Sequence, residues 1–268
     1  MKTIGILILT FLFSCNFIVA QDTLYIYKSG TVLYKQIVSN IDSVTFKNKK
    51  TVQETVTDID GNVYHTVKIG TQTWMVENLK TTKYRDGNGG TIPNVSDNYT
   101  WFFTTDGAYC NYNDDEANGL KYGRLYNWYA ITDNRKLAPA GWHVATDAEW
   151  TTLVNYLIAN GYNYDGTKDD NRAAKSLAST TEWVTSNGPG SIGNDLTKNN
   201  TTGFTALPGG YRTGTYPSTF DYIGNRCYWW SSDGTNPFCR HLENNSSYVF
   251  RDDSYTKKYG FYVRCVKD

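Results

Sequence analysis

The sequence predicts an α+β domain with few helices and many loops, and three observations predict it. A capped amphipathic helix begins at Thr146, a β-hairpin occupies residues 63–76, and the chain after Phe204 alternates strand-like runs with turns. A few helices followed by a strand-rich C-terminal half separate the two kinds of element along the chain, rather than alternating them as a parallel α/β sheet would.

The chain opens with Lys2 and an apolar run from Ile4 to Phe13 and turns polar at Gln21, the layout of a signal peptide. Cleavage between Ala20 and Gln21 is the favoured processing, because Phe17 to Val19 prolong the apolar stretch beyond Cys15. Leu12 to Cys15 form the competing lipobox, so membrane attachment would come only through a lipid on Cys15. Thr23 to Tyr27, Thr31 to Val38 and Ile41 to Phe46 read as a small β-meander turning first at Ser29 and Gly30, and Lys47 to Thr57 as a polar linker. The expected organisation is a signal at 1–20, a meander and linker at 21–57, and a main domain at 58–268.

The main domain starts with a turn at Asp60 and Gly61, a strand from Val63 to Ile69, a second turn at Gly70 to Gln72 and a return strand from Thr73 to Val76. Arg85 to Gly90 and the acidic Asn111 to Gly119 read as loops, and Tyr122 to Ala130 as a short helix. At Thr146 the side chain can accept the Glu149 amide while Glu149 reaches back to the Thr146 amide, a capping box. Trp150, Leu153, Val154, Leu157 and Ile158 then form one apolar stripe at helical period, and Gly161 is a left-handed stop. Arg172 to Ala178 suggests a second short helix, and Ser186 to Thr202 a long loop rich in Gly and Asn.

Lys plus Arg and Asp plus Glu both total 26, so the balanced charge offers no footprint for nucleic acid or anionic lipid. Aromatic residues reach 15%, with 22 Tyr and 8 Trp, so rings with polar edges provide much of the bulk. Such rings suit either a strand-rich core or a binding surface.

Six segments occur in order: Trp74 to Leu79 (WMVENL), Tyr122 to Ala130 (YGRLYNWYA), Gly141 to Trp150 (GWHVATDAEW), Gly203 to Arg212 (GFTALPGGYR), Tyr228 to Ser232 (YWWSS) and Tyr259 to Asp268 (YGFYVRCVKD). Together they resemble the Fibrobacter succinogenes major paralogous domain family over about Asp58 to Asp268. That resemblance implies an exported or lipid-anchored bacterial protein with no assigned reaction. GWHVATDAEW is also similar to a motif of the formylglycine-generating family, which implies a C-type-lectin-like fold. Such scaffolds host both enzymes and binding modules, so the site must be argued separately.

With Cys15 removed, Cys110, Cys227, Cys239 and Cys265 remain, enough for two disulfides in three connectivities. The turn signals between Cys227 and Cys239 favour bridging those two, which leaves Cys110 with Cys265 by elimination. The family often carries a cysteine where this chain has Ala138, a departure that bears against the second bridge. The formylglycine-generating enzyme holds copper with two cysteines separated by four residues, whereas eleven lie between Cys227 and Cys239. No cofactor is therefore expected. His65, His143 and His241 lack ligand spacing, and His143 reads as a packed or surface strand residue. Asp114, Asp115 and Glu116, like Asp252 and Asp253, lack the spacing of a calcium loop. Glu149 belongs to the cap, and Glu182, Glu243, Asp233 and Asp252 show no pairing of the glycosidase kind.

Binding is the remaining reading. The late loops hold Tyr228, Trp229, Trp230, Asp233, Asn236, Glu243 and Tyr255, rings that could stack on sugar faces beside hydroxyl-binding polar groups. Strand alternation leaves at most one of Trp229 and Trp230 outside the core. The expected function is an exported, noncatalytic binding module for glycan or surface-protein ligands. The alternatives are an envelope enzyme, oxidase-like or carbohydrate hydrolase, and a component of a surface fibre built by strand pairing.

Overall fold

The computed structural model describes residues 23–28, 31–38, 54–86, 90–232 and 236–268. The expected signal segment with Cys15, Ala20 and Gln21, and the third meander strand expected at 41–46, lie outside them. The chain divides into two compact units, Met1–Val52 and Gln53–Asp268. In the first, β1 (Thr23–Lys28) pairs antiparallel with β2 (Thr31–Ile37), with an irregularity between Ile26 and Tyr27.

The second unit begins inside the expected linker. β3 (Thr55–Thr57) pairs with β4 (Val63–Ile69), placing Thr55 opposite His65. The sequence missed it because the strand is short and largely exposed, so no hydrophobic period marks it. β4 turns through Gly70 into β5 (Gln72–Met75), the expected hairpin. With β14 (Cys265–Lys267) and β8 (Trp142–Val144) these strands form one five-stranded sheet in the order β3-β4-β5-β14-β8.

A second five-stranded sheet has the order β10-β9-β11-β12-β13, from β9 (Gly209–Arg212), β10 (Phe220–Ile223), β11 (Arg226–Trp230), β12 (Cys239–Glu243) and β13 (Phe250–Asp252). Between the sheets in sequence, β6 (Tyr109–Cys110) and β7 (Leu125–Tyr126) form a two-stranded ladder. The C-terminal segment joins all three: Gly260 bridges to Arg212, Phe261 to Tyr126 and Tyr262 to Trp229, before β14 enters the first sheet.

Five α-helices lie among the described residues: α1 (Asn98–Phe103), α2 (Glu116–Tyr122), α3 (Trp128–Ile131), α4 (Asp147–Ala159) and α5 (Ala174–Leu177). α4 starts as the sequence requires, with Thr146 accepting from the Glu149 amide and Glu149 from the Thr146 amide. Trp150, Leu153, Val154 and Leu157 are buried, and Gly161 follows at φ +74°. The helix expected over Tyr122 to Ala130 is instead interrupted. Gly123 stands at φ +92°, where a Cβ would lie 2.6 Å from the Asn78 side chain, so α2 ends there and β7 precedes α3. α2 itself begins within the expected acidic loop, capped by the Asp115 carboxylate, which accepts from the Ala117 amide.

The core is aromatic, and the recurrent segments meet in it. Trp150 lies 4.7 Å from Trp74, 5.5 Å from Trp229 and 5.8 Å from Phe204, ring centre to ring centre. Beside them the buried Asn78 accepts from Trp229 Nε1 at 2.8 Å and Arg264 Nε at 2.6 Å, and donates to the Tyr122 carbonyl at 2.7 Å. All six segments of the resemblance thus contribute to one buried assembly. Arg264, 1% exposed, also donates to the carbonyls of Met75 and Phe204 at 2.8 and 2.9 Å. Burial pulls its pKa down to about 10, still above neutral, so the guanidinium remains charged and is neutralised by carbonyl dipoles and the face of Phe204.

Candidate functional site

The residues expected to bind ligand on the late strands are mostly core. Tyr228 is 0%, Trp229 1% and Trp230 0% exposed. At most one of the two tryptophans is expected outside the core, and neither is found there, because β11 is central to its sheet and covered on both faces: Cys227 and Trp229 enter one hydrophobic cluster, Tyr228 and Trp230 the other. Tyr255 is half-buried and donates to the Tyr228 hydroxyl at 3.4 Å, and Glu243 pairs with Arg226 at 3.2 Å. Asn236 is exposed, and Asp233 lies outside the described residues.

The same two-faced burial corrects the disulfide expectation. Cys110, Cys227, Cys239 and Cys265 are all free and buried. On the β11–β12 ladder Cys227 stands opposite Leu242 and Cys239 opposite Trp230, so the two thiols project to opposite faces. Cys110 and Cys265 likewise belong to different clusters. Burial raises every thiol pKa, that of Cys110 to about 12, which keeps these groups protonated and unreactive.

Several other polar residues weighed for chemistry have structural partners. Glu116 makes a two-pronged pair with Arg124, with bonds of 2.9 and 3.0 Å, and Glu182 holds Lys121 at 2.7 Å. Asp252 accepts the Ser254 amide at 2.8 Å. His143, read as having no chemical role, bridges two acids: Nδ1 lies 2.7 Å from Asp268 and Nε2 2.8 Å from Glu149 of the capping box. His241 is stacked between Tyr228 and Phe250, both ring centres at 4.6 Å, and burial lowers its pKa to about 4, so it is neutral.

An exposed aromatic cluster lies elsewhere. Tyr99 and Phe103 on α1 are 59% and 54% exposed, and Tyr216 in the β9–β10 connection is 57% exposed. With half-buried Phe102 they form one cluster: Tyr99 to Phe103 is 4.5 Å, Phe102 to Tyr216 5.6 Å and Tyr99 to Tyr216 6.3 Å. Lys258 Nζ lies 3.9 Å from the Phe102 ring centre, leaving a cation at the edge of the apolar patch.

This platform is anchored from below. Asp97 caps α1 by accepting the Thr100 amide at 2.7 Å, while Trp101 turns inward and donates to the Lys258 carbonyl at 2.8 Å. Arg212, 0% exposed, donates to the carbonyls of Val95 and Ser96 and to Asn98 Oδ1 at 2.6 to 2.9 Å. Its Nε reaches Ser218 Oγ at 3.2 Å, so one guanidinium ties down both the α1 side and the Tyr216 side. The sequence carried a signal here: NYTWFF places four rings in five residues, more than one face of so short a helix can bury.

Two curled five-stranded sheets, five short helices and buried arginines held by carbonyls define a mixed α and β domain with an aromatic core. The Fibrobacter succinogenes major domain matches residues 67–267, and the chain belongs to that family. Neither a curated protein nor a solved structure matches it. Among the described residues no helix is long and apolar enough to cross a membrane.

Proposed function

We propose that this chain is an exported, noncatalytic binding module of the cell envelope, and that it holds glycan on the rings of Tyr99, Phe103 and Tyr216. The observation that carries the reading is this exposed cluster of rings fixed by a buried arginine. Rings held in place lose little conformational freedom on binding, and their faces suit the apolar C–H faces of sugars. Lys258 adds a hydrogen-bond donor at the rim. Export rests on the signal-like N-terminus, and the C-type-lectin-like fold on the resemblance of GWHVATDAEW.

Retardation of the mature protein in native gels containing envelope and plant polysaccharides tests the proposal. Wild type is expected to be retarded by at least one polysaccharide, and the triple variant Tyr99→Ala, Phe103→Ala, Tyr216→Ala to migrate freely with unchanged melting temperature. Equal migration of both proteins in every gel would falsify it, and a protein ligand lost on the same substitutions would redirect it.

A further inference from the structure

A cleft that shares no residue with the platform lies where the chain leaving α4 faces the loop after Gly190. The cleft has a volume of about 380 Å³, with Tyr162 and Tyr164 among its walls and Lys175, Asn194, Lys198 and Thr201 around them. The volume falls within the range of small-molecule sites.

The cleft is built around an internal cation. Lys175 is 6% exposed, and its ammonium faces the backbone carbonyls of Ser191, Ile192, Asn194 and Asp195, those of Ser191 and Asp195 at 3.2 Å. Burial lowers its pKa, and four carbonyl dipoles occupy its three protons. The loop is strapped a second time: Thr202 donates through its hydroxyl to the Ser176 carbonyl at 2.7 Å, and the Asn200 amide to the Lys175 carbonyl at 2.9 Å. A stretch that reads as loose Gly and Asn loop is therefore folded around α5. Gly190, at φ +72°, completes the wall, since a Cβ there would lie 2.2 Å from the Tyr164 ring.

The polar groups at the cleft divide into two kinds. Lys175 is committed to the carbonyls, and Lys198 pairs with Asp195 at 3.3 Å. The Tyr162 hydroxyl, the Asn194 side-chain amide and the Thr201 hydroxyl make no hydrogen bond among the described residues. Among the described residues no carboxylate side chain lines the cleft. Aromatic walls beside unpartnered amide and hydroxyl groups, with Lys175 held by backbone carbonyls and the exposed Lys198 paired with Asp195, match a polyhydroxylated neutral ring.

We infer that this cleft is a binding site for a neutral pyranose of one or two units, with Tyr162 and Tyr164 against its face and Asn194 and Thr201 hydrogen-bonding its hydroxyls. The site is independent of the aromatic platform. Saturation-transfer NMR and calorimetry on the full mature protein, with glucose, galactose, mannose, N-acetylglucosamine and their β-linked disaccharides, provide the test. At least one sugar is expected to bind saturably, and Asn194→Ala with Thr201→Val to weaken it about tenfold or more without lowering the melting temperature. The Tyr99, Phe103 and Tyr216 triple variant should bind that sugar as wild type does, which separates this site from the platform. No saturable binding to any sugar in the panel, or binding indifferent to the Asn194 and Thr201 changes, overturns the inference. Preference for a uronic acid over its neutral parent overturns the neutral assignment.

Discussion

The Arg212 guanidinium lies 4.5 Å from the ring centre of Trp101, so the single inward-facing aromatic of α1 rests on a cation that is itself fully buried. That contact makes the exposed rings of the same helix a fixed surface. A helix of six residues has little stability of its own. Its position is imposed by Arg212 beneath and by the Asp97 cap.

Replacing Arg212 by Met is expected to leave the Val95 and Ser96 carbonyls and Asn98 Oδ1 without their donor, at about 1–3 kcal/mol in all, because Ser96 and Asn98 are exposed and water can replace part of what is lost. Arg212→Lys keeps the charge but cannot reproduce the planar fork. Hydrogen exchange at the Trp101 and Thr104 amides should accelerate in Arg212→Lys, and polysaccharide retardation should fall although no exposed ring is altered. Unchanged protection would show that α1 is held by something else.

Asn78→Ala is expected to be among the more damaging single substitutions. It removes the shared acceptor of Trp229 Nε1 and Arg264 Nε and the donor to the Tyr122 carbonyl, a loss of about 2–5 kcal/mol. Denaturant unfolding measures it. A shift below about 1 kcal/mol would mean that water or a repacked side chain replaces the amide.

The cap of α4 gives a pH-dependent prediction. Thr146→Ala should cost about 1 kcal/mol. Burial works to lower the His143 pKa, but its hydrogen bonds with Asp268 and Glu149 outweigh burial and raise it above 6.5. The stabilisation from protonated His143 is therefore complete below about pH 6.5 and is lost as pH rises through the raised folded value. The stability difference between wild type and His143→Gln should be larger at pH 6 than at pH 9, and small throughout because the ring is over a third exposed. A difference that grows with pH would reverse the assignment.

The cysteines predict a thiol count. A chain beginning at Gln21, the proposed mature form, should show no reactive thiol when native and four in guanidinium chloride without reductant. Two or none in denaturant would reveal a disulfide and overturn the assignment of four free thiols.

The sequence by itself determined the local elements and the family. Thr146, Glu149 and Trp150 specify the start and buried face of α4, and Val63 to Ile69 specify β4, because capping and hydrophobic period depend only on residues a few positions apart. The six segments identified the family because their residues meet around Asn78 in the core, and a buried assembly constrains many positions together. Tertiary structure alone decided what is exposed. Trp229 and Trp230 looked like a half-exposed strand pair, and only the partners on both sides and both faces of β11 bury them. Cys227 and Cys239 looked close in sequence, yet ladder register sends them to opposite faces. Tyr216 comes from a loop more than a hundred residues after Tyr99, and no local pattern records that Arg212 holds both sides of their cluster. A platform assembled across such distances is set by which buried groups find partners, a property of the folded chain as a whole.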